Sequence, residues 1–306
     1  MSTKFDTGVR FNTNMGLLEA LSFFGEGVGA ALYLLGAFTA LLALDILGIV
    51  FMLGAVLVLR AHLGQPTRGW RALSRLGCAW VSRGTLLIGG FTGCATLSVV
   101  VAYVGALQPL RSGLTLAAVA FSVPVLLYAG LLLRSMRAVR FWRGITMPLA
   151  FSAHSAATAL TLACALVMWL PGGGAPIAIE WLQPGAIIAL LLAAAMSAAQ
   201  LLLVEPSVGT QASVNRLLTG SLRGLFLGRA GILGLLVPLA ALLGLGLLAR
   251  GEAGPQSTFL LAGLALLRLY GDFAYRYAIV QAGAYEPIFP AMPTRSFPNR
   301  RGKALA

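Results

Sequence analysis

The chain has two histidines, His62 and His154, and histidine is the side chain that titrates near neutral pH without special surroundings. His62 ends an apolar run, in LVLRAHLGQP, where a membrane segment would meet water. At that boundary an imidazole is either satisfied by interfacial water or serves a lipid-dissolved quinone. A quinone needs proton exchange and a hydrogen-bond partner for each carbonyl oxygen. Glu26 sits deeper, in GLLEALSFFGEGVGAALYLLG, between Gly25 and Gly27 and with Gly29 beyond. A carboxylate in hydrocarbon is costly, so Glu26 must face the bundle interior or water, and the glycines let a helix or a flat ligand come close. Glu19, near the start of the same run, reaches interfacial water.

His154 lies well inside a later apolar run. A haem held by two histidines needs both rings facing each other at one depth. His62 is interfacial and His154 deeper, so haem fits poorly. A bundle-lining histidine hydrogen-bonded to Ser or Thr is the simpler expectation. Near the end of the chain Arg268, Asp272 and Arg276 recur every four residues. That spacing puts them on one helix face, where Asp272 can neutralise either arginine. The group is either part of a proton path with His154 or a buried ion pair locking its helix to its neighbours. Cys78, Cys94 and Cys164 show no Cys-x-x-Cys spacing. An iron–sulfur cluster needs about four clustered thiolates, so no cluster of the chain's own, and no metal site, is expected.

The elements that carry these residues are read from composition. Of 306 residues, 58% are hydrophobic and 10% charged, where a soluble domain would carry about a quarter charged. Apolar runs long enough to cross a bilayer recur, and the short alternating segments of a membrane β-barrel do not. The expected fold is an all-α integral membrane protein with eight transmembrane helices, roughly at 17–40, 43–61, 84–106, 112–134, 146–170, 183–204, 226–248 and 258–280. Two four-helix bundles, 17–134 and 146–280, would follow a polar segment at 1–16 and precede an extended tail at 281–306, whose prolines Pro287, Pro290, Pro293 and Pro298 preclude a helix. Spans 1 and 2 need a tight turn near Asp45. WVSRGTLLIGG opens span 3 and FLGRAGILGLL opens span 7, a faint internal repeat.

The net charge of +13 comes mainly from arginines at the ends of apolar runs, which is an orientation signal rather than a nucleic-acid surface. The first fifteen residues lack the pattern of a cleavable leader. The cationic loops are those after spans 2, 4 and 6. By the positive-inside rule both termini and the His62 loop are expected in the cytoplasm.

The segment RAHLGQPTRGWRALSRLGCAWVSRGTLLIG, residues 60–89, gathers Arg60, Arg68, Arg71, Arg75 and Arg83 beside Trp70 and Trp80. Such charges and indoles suit any interfacial loop. Their order, HLGQP, then WRAL, then AWVSRG, resembles the segment after the second helix in the NrfD/polysulfide-reductase and DMSO-reductase anchor families. The resemblance implies a membrane anchor passing electrons between the quinone pool, menaquinone or ubiquinone, and a ferredoxin-like iron–sulfur subunit that serves a molybdopterin catalytic subunit. It also implies that His62, matching the anchors' histidine, borders a quinol pocket between spans 1, 2 and 3, with Gln65 and Glu26 beside it. Where the anchors commonly read S-R-E this chain has Ser82, Arg83 and Gly84, so that acid is missing. Arg68, Arg71 and Arg75 would align on a short helix at about 67–76 and dock an acidic patch of the iron–sulfur subunit, or else bind lipid phosphate. Arg83 would hold backbone carbonyls or the partner. A secondary transporter and a purely structural anchor are the competing functions. Against the transporter, no pair of matching interrupted helices is visible.

Overall fold

The computed structural model describes residues 10–13, 15–62, 77, 79–104, 107–169, 176–248 and 255–286. In hydrocarbon every backbone N–H and C=O must be bonded within the chain, which makes long apolar runs helical. The runs form α1 (Leu17–Thr39), α2 (Leu42–His62), α3 (Trp80–Ala102), α4 (Gln108–Ser135), α5 (Thr146–Val167), α6 (Pro176–Leu202) and α9 (Pro255–Ala282). The seventh run is composite: a π-helix over Gly224–Leu236 continues directly into α8 (Val237–Leu248). Eight helices among the described residues are thus long and apolar enough to cross a membrane. Among the described residues there is no strand, only one bridge between Phe11 and Ala284.

The π-helix departs from the expected repeat. The matching stretch in the first half, at the start of α3, is ordinary α-helix. Gly224, Gly228, Gly231 and Gly234 make the second stretch pliable, and Pro238 has no N–H to return to the Gly234 carbonyl. A regular α-helix there would leave that carbonyl without a partner in its own helix.

α1 to α4 form one bundle and the remaining spans a second, but they share a seam in which α1 packs on α5 and α9 as well as on α2 and α4. One core cluster, with Tyr33, Phe91 and Val125, fills the first half. A larger one joins α1 to the second half. A third lies at the face where residues 10–13 meet 283–286, around Trp142. There the chain adds two pieces that hydropathy does not reveal. The first is a 3-10 turn, Arg140–Trp142, whose indole donates to the Ile279 carbonyl at 3.1 Å. The second is α7 (Val208–Leu218), capped by Ser207, with Arg216 donating to the Gln281 carbonyl at 2.7 Å.

The glycines of α1 have a packing use. A Cβ at Gly29 would stand 2.7 Å from the Gly48 carbonyl, and one at Gly25 would stand 2.9 Å from Ala55. α1 and α2 therefore cross backbone to backbone, as small residues four apart allow. The turn between them is as tight as expected, with Ala40 in the left-handed region (φ 55°) and Leu41 N–H bonded to the Gly36 carbonyl. Replacing Gly29 by Val should separate the pair and cost about 1–3 kcal/mol, read as a lower melting temperature of the purified chain in detergent.

Candidate functional site

The polar side chains singled out in α1, α5 and α9 converge on one layer. Glu26 lies nine residues after Leu17, His154 eight after Thr146, and Arg276 six before Ala282. At about 1.5 Å per residue all three sit some 9–14 Å below the face where α1 and α5 begin and α9 ends. Asp272 accepts from Arg276 Nε at 2.9 Å and from the Thr158 hydroxyl at 2.9 Å. The rest of the Arg276 guanidinium donates to the Phe23 carbonyl of α1 (3.0 Å), the Phe151 carbonyl of α5 (3.1 Å) and Ser155. Gly27 leaves that space open, since a Cβ there would stand 2.9 Å from the guanidinium.

Arg268 does not pair directly with Asp272. It donates to His154 Nδ1 and to the His154 carbonyl, each at 2.9 Å, and to the Gly234 carbonyl at 2.9 Å. Because Nδ1 faces a guanidinium it must be the lone-pair nitrogen, so the proton of a neutral ring sits on Nε2 and points at Ser197 Oγ, 2.9 Å away. His154 is thus the serine-bonded, bundle-lining histidine of the simpler expectation, and the arginine contact is an addition. Its ring also stacks on Tyr275, centroids 3.8 Å apart and planes 9° from parallel. No spacing rule pointed to Tyr275, which lies off the period of Arg268, Asp272 and Arg276 in GDFAYRYAIV.

Glu26 is fully enclosed. Its Oε1 accepts from the Ser22 hydroxyl at 2.8 Å, and Oε2 has no hydrogen-bond partner. Both Arg276 and Tyr128 of α4 lie within electrostatic range of it. Tyr128 owes its place to Gly84, where a Cβ would fall 2.0 Å from the phenol ring. An acid at position 84 would occupy the space of that ring. Sequence reading noted Gly84 only as a missing carboxylate; what it admits is a phenol.

Comparison with protein-family models and with curated proteins finds no match. The site is therefore read from its own residues. His62 closes α2, and its side chain is outside the described residues, as are Gln65, Arg68, Arg71, Arg75 and the expected helix at 67–76. Gly25 packs on Ala55, so the end of α2 lies seven residues, about 10 Å, nearer the surface than that level. Arg83 donates to the Gly77 carbonyl at 2.8 Å and lies over the Trp80 ring at 5.0 Å, in its expected place at the head of α3. Among the described residues no three His, Cys, Asp or Glu side chains gather as a metal site.

Beside the layer, between α5, α6, α9 and the π-helix, is a cavity of about 420 Å³. His154, Ser197 and Tyr275 make its polar wall, and Phe226, Ala230 and Leu235 are among its apolar residues. The Asp272–Arg276 pair holds α9, and with it Tyr275, against α5. Asp272→Asn should leave the Arg276 charge without its counter-ion and cost about 3–5 kcal/mol, seen as loss of the folded chain from membranes and a lower melting temperature. Asp272→Glu should recover part of that loss.

Proposed function

We propose that this chain is the membrane anchor and quinone-interacting subunit of a multi-subunit molybdopterin oxidoreductase. The observation that carries the reading is the buried Glu26 carboxylate, with one oxygen unpartnered, below the face where α2 ends in His62. Quinone chemistry at such a place takes up or releases protons together with electrons. The residue order of 60–89 supports the same reading through its resemblance to the NrfD and DMSO-reductase anchors.

In this reading a quinone head group enters between α1, α2 and α3. His62 and Gln65 meet it near the surface, and Glu26 serves its proton from below. Tyr128 of α4 joins them as a candidate donor, in the space Gly84 leaves. The chain supplies no iron–sulfur cluster, so electrons pass directly between quinone and the nearest cluster of a ferredoxin-like partner. That partner docks at the His62 loop, on the cytoplasmic face of a bacterial inner membrane, and joins a molybdopterin catalytic subunit. A transporter of the repeat type would pair its broken helices. Here the π-helical break in the second half has no counterpart in α3.

His62→Ala should abolish quinone-linked turnover of the assembled complex while an artificial soluble dye still exchanges electrons with its clusters. Loss of both activities would make His62 an assembly residue and remove it from the site. Docking has its own test. Arg71→Glu with Arg75→Glu should release the peripheral subunits into the soluble fraction and leave this chain folded in the membrane; a complex that stays whole assigns those arginines to lipid and orientation.

A further inference from the structure

The cavity beside His154 has no part in the proposed quinone site, which belongs to the first half of the molecule. At about 420 Å³ it falls in the range of small-molecule pockets and far exceeds the space of one water. Its position in the second half raises the question of what would fill it.

The polar wall has one hydrogen-bond donor left over. His154 is saturated, with Nδ1 facing Arg268 and Nε2 facing Ser197. The Ser197 hydroxyl spends its own proton on the Ala193 carbonyl at 2.8 Å. Tyr275 is 1% exposed, yet its hydroxyl has no hydrogen-bond partner; Ser197 stands beside it without reaching bonding geometry. The ring cannot readily turn away, because it is stacked on His154 and flanked by Phe226 at 6.1 Å. A buried O–H held in this way costs stability until an acceptor arrives.

The remaining wall selects the kind of acceptor. The i→i+5 bonding of the π-helix stacks Phe226, Gly231 and Leu236 over one another along the cavity. Gly231 keeps the middle open. Ile232 and Leu236 are exposed at the outer edge, on a span that faces hydrocarbon, so the mouth opens to lipid and not to water. A water molecule needs two to four polar partners and would find only the Tyr275 hydroxyl and the second lone pair of Ser197, which cannot account for a cavity of this size. The fit is an apolar body ending in an acceptor-only oxygen.

We infer that this cavity is a second, lipid-fed binding site, in which a membrane-dissolved molecule places a carbonyl oxygen on the Tyr275 hydroxyl and its apolar body against the π-helix. Two sources offer that chemistry, an isoprenoid quinone and the acyl ester of a phospholipid. The site is independent of His62.

Two substitutions test it on the full chain, with any subunits that accompany it, in nanodiscs. Tyr275→Phe removes the donor and keeps the ring. Gly231→Leu fills the cavity, and its Cβ is tolerable because the nearest atom, the Phe226 carbonyl oxygen, would be 3.5 Å away. Equilibrium binding of tritiated decylubiquinone reads the quinone arm, and mass spectrometry of phospholipid retained after detergent washing reads the lipid arm. The expected result is that one saturable component, of quinone or of retained lipid, is lost in Gly231→Leu and weakened about fivefold in Tyr275→Phe. The same component should survive His62→Ala. Whichever ligand shows this pattern names the source. If both variants bind both ligands as the unaltered chain does, the inference is overturned. Quinone binding lost only in His62→Ala, with retained lipid unchanged in both cavity variants, would likewise overturn it while leaving the first site standing; the converse would keep this site and remove the other.

Discussion

Two guanidinium groups buried at membrane depth set the terms for the rest of the molecule. Arg268 and Arg276 are fully enclosed, and among the described residues the only carboxylate bonded to either is Asp272. The remaining donors must find acceptors where there is no water. Most find them on the backbone, at Phe23, Phe151, His154 and Gly234, while Arg268 Nε has none among the described residues. Those carbonyls belong to three other spans, so α9 is bonded at one depth to α1, α5 and the π-helix. Helix association in lipid has no hydrophobic drive of its own, and bonds of this kind with close packing supply it.

The π-helix follows from the same constraint. Pro238 cannot donate to the Gly234 carbonyl, and Arg268 does so instead. Close approach is needed for that bond. Gly234 and Gly271 lie backbone to backbone, so that a Cβ on Gly271 would be 2.2 Å from the Gly234 Cα. Proline, the glycine pair and the arginine form one device, in which each would be destabilising without the others. The widened helix that results also leaves the cavity beside Tyr275.

Eight spans and their approximate ends were legible because each is an uninterrupted apolar run of bilayer length, and the one-face spacing of Arg268, Asp272 and Arg276 was legible from helical period. The partner of Arg268 was not, since Asp272 and His154 are both chemically reasonable and only the fold brings His154 within 2.9 Å. α7 was missed because, unlike the spans, it is weakly apolar and is recognised by its Ser207 cap and its docking on the end of α9. The π-helix was missed because hydropathy does not separate π from α; the proline four residues after a glycine was the available hint. Tyr275 and Tyr128 were passed over for another reason. A tyrosine in an apolar run reads as core, and only an unpartnered hydroxyl or a neighbouring glycine reveals otherwise.

Gly84 changes how the proposed quinone site should be pictured. By resemblance to the anchors, position 84 is where an acid would stand, and its absence looks like a lost proton carrier. The space is not empty, because Tyr128 fills it so closely that no side chain fits on α3 there. The buried carboxylate in this part of the bundle stands instead on α1, at Glu26, within electrostatic range of the same tyrosine. Glu26 could not be accommodated on an ordinary first helix, since it needs Ser22 one turn earlier to bind Oε1 and Gly27 beside it to admit Arg276. The glycine-rich character of α1 and the glycine at 84 are therefore connected: one lets a charged layer approach the carboxylate, and the other lets a phenol face it. In the proposed reading, the proton function that the anchors would place on the third helix moves to the first.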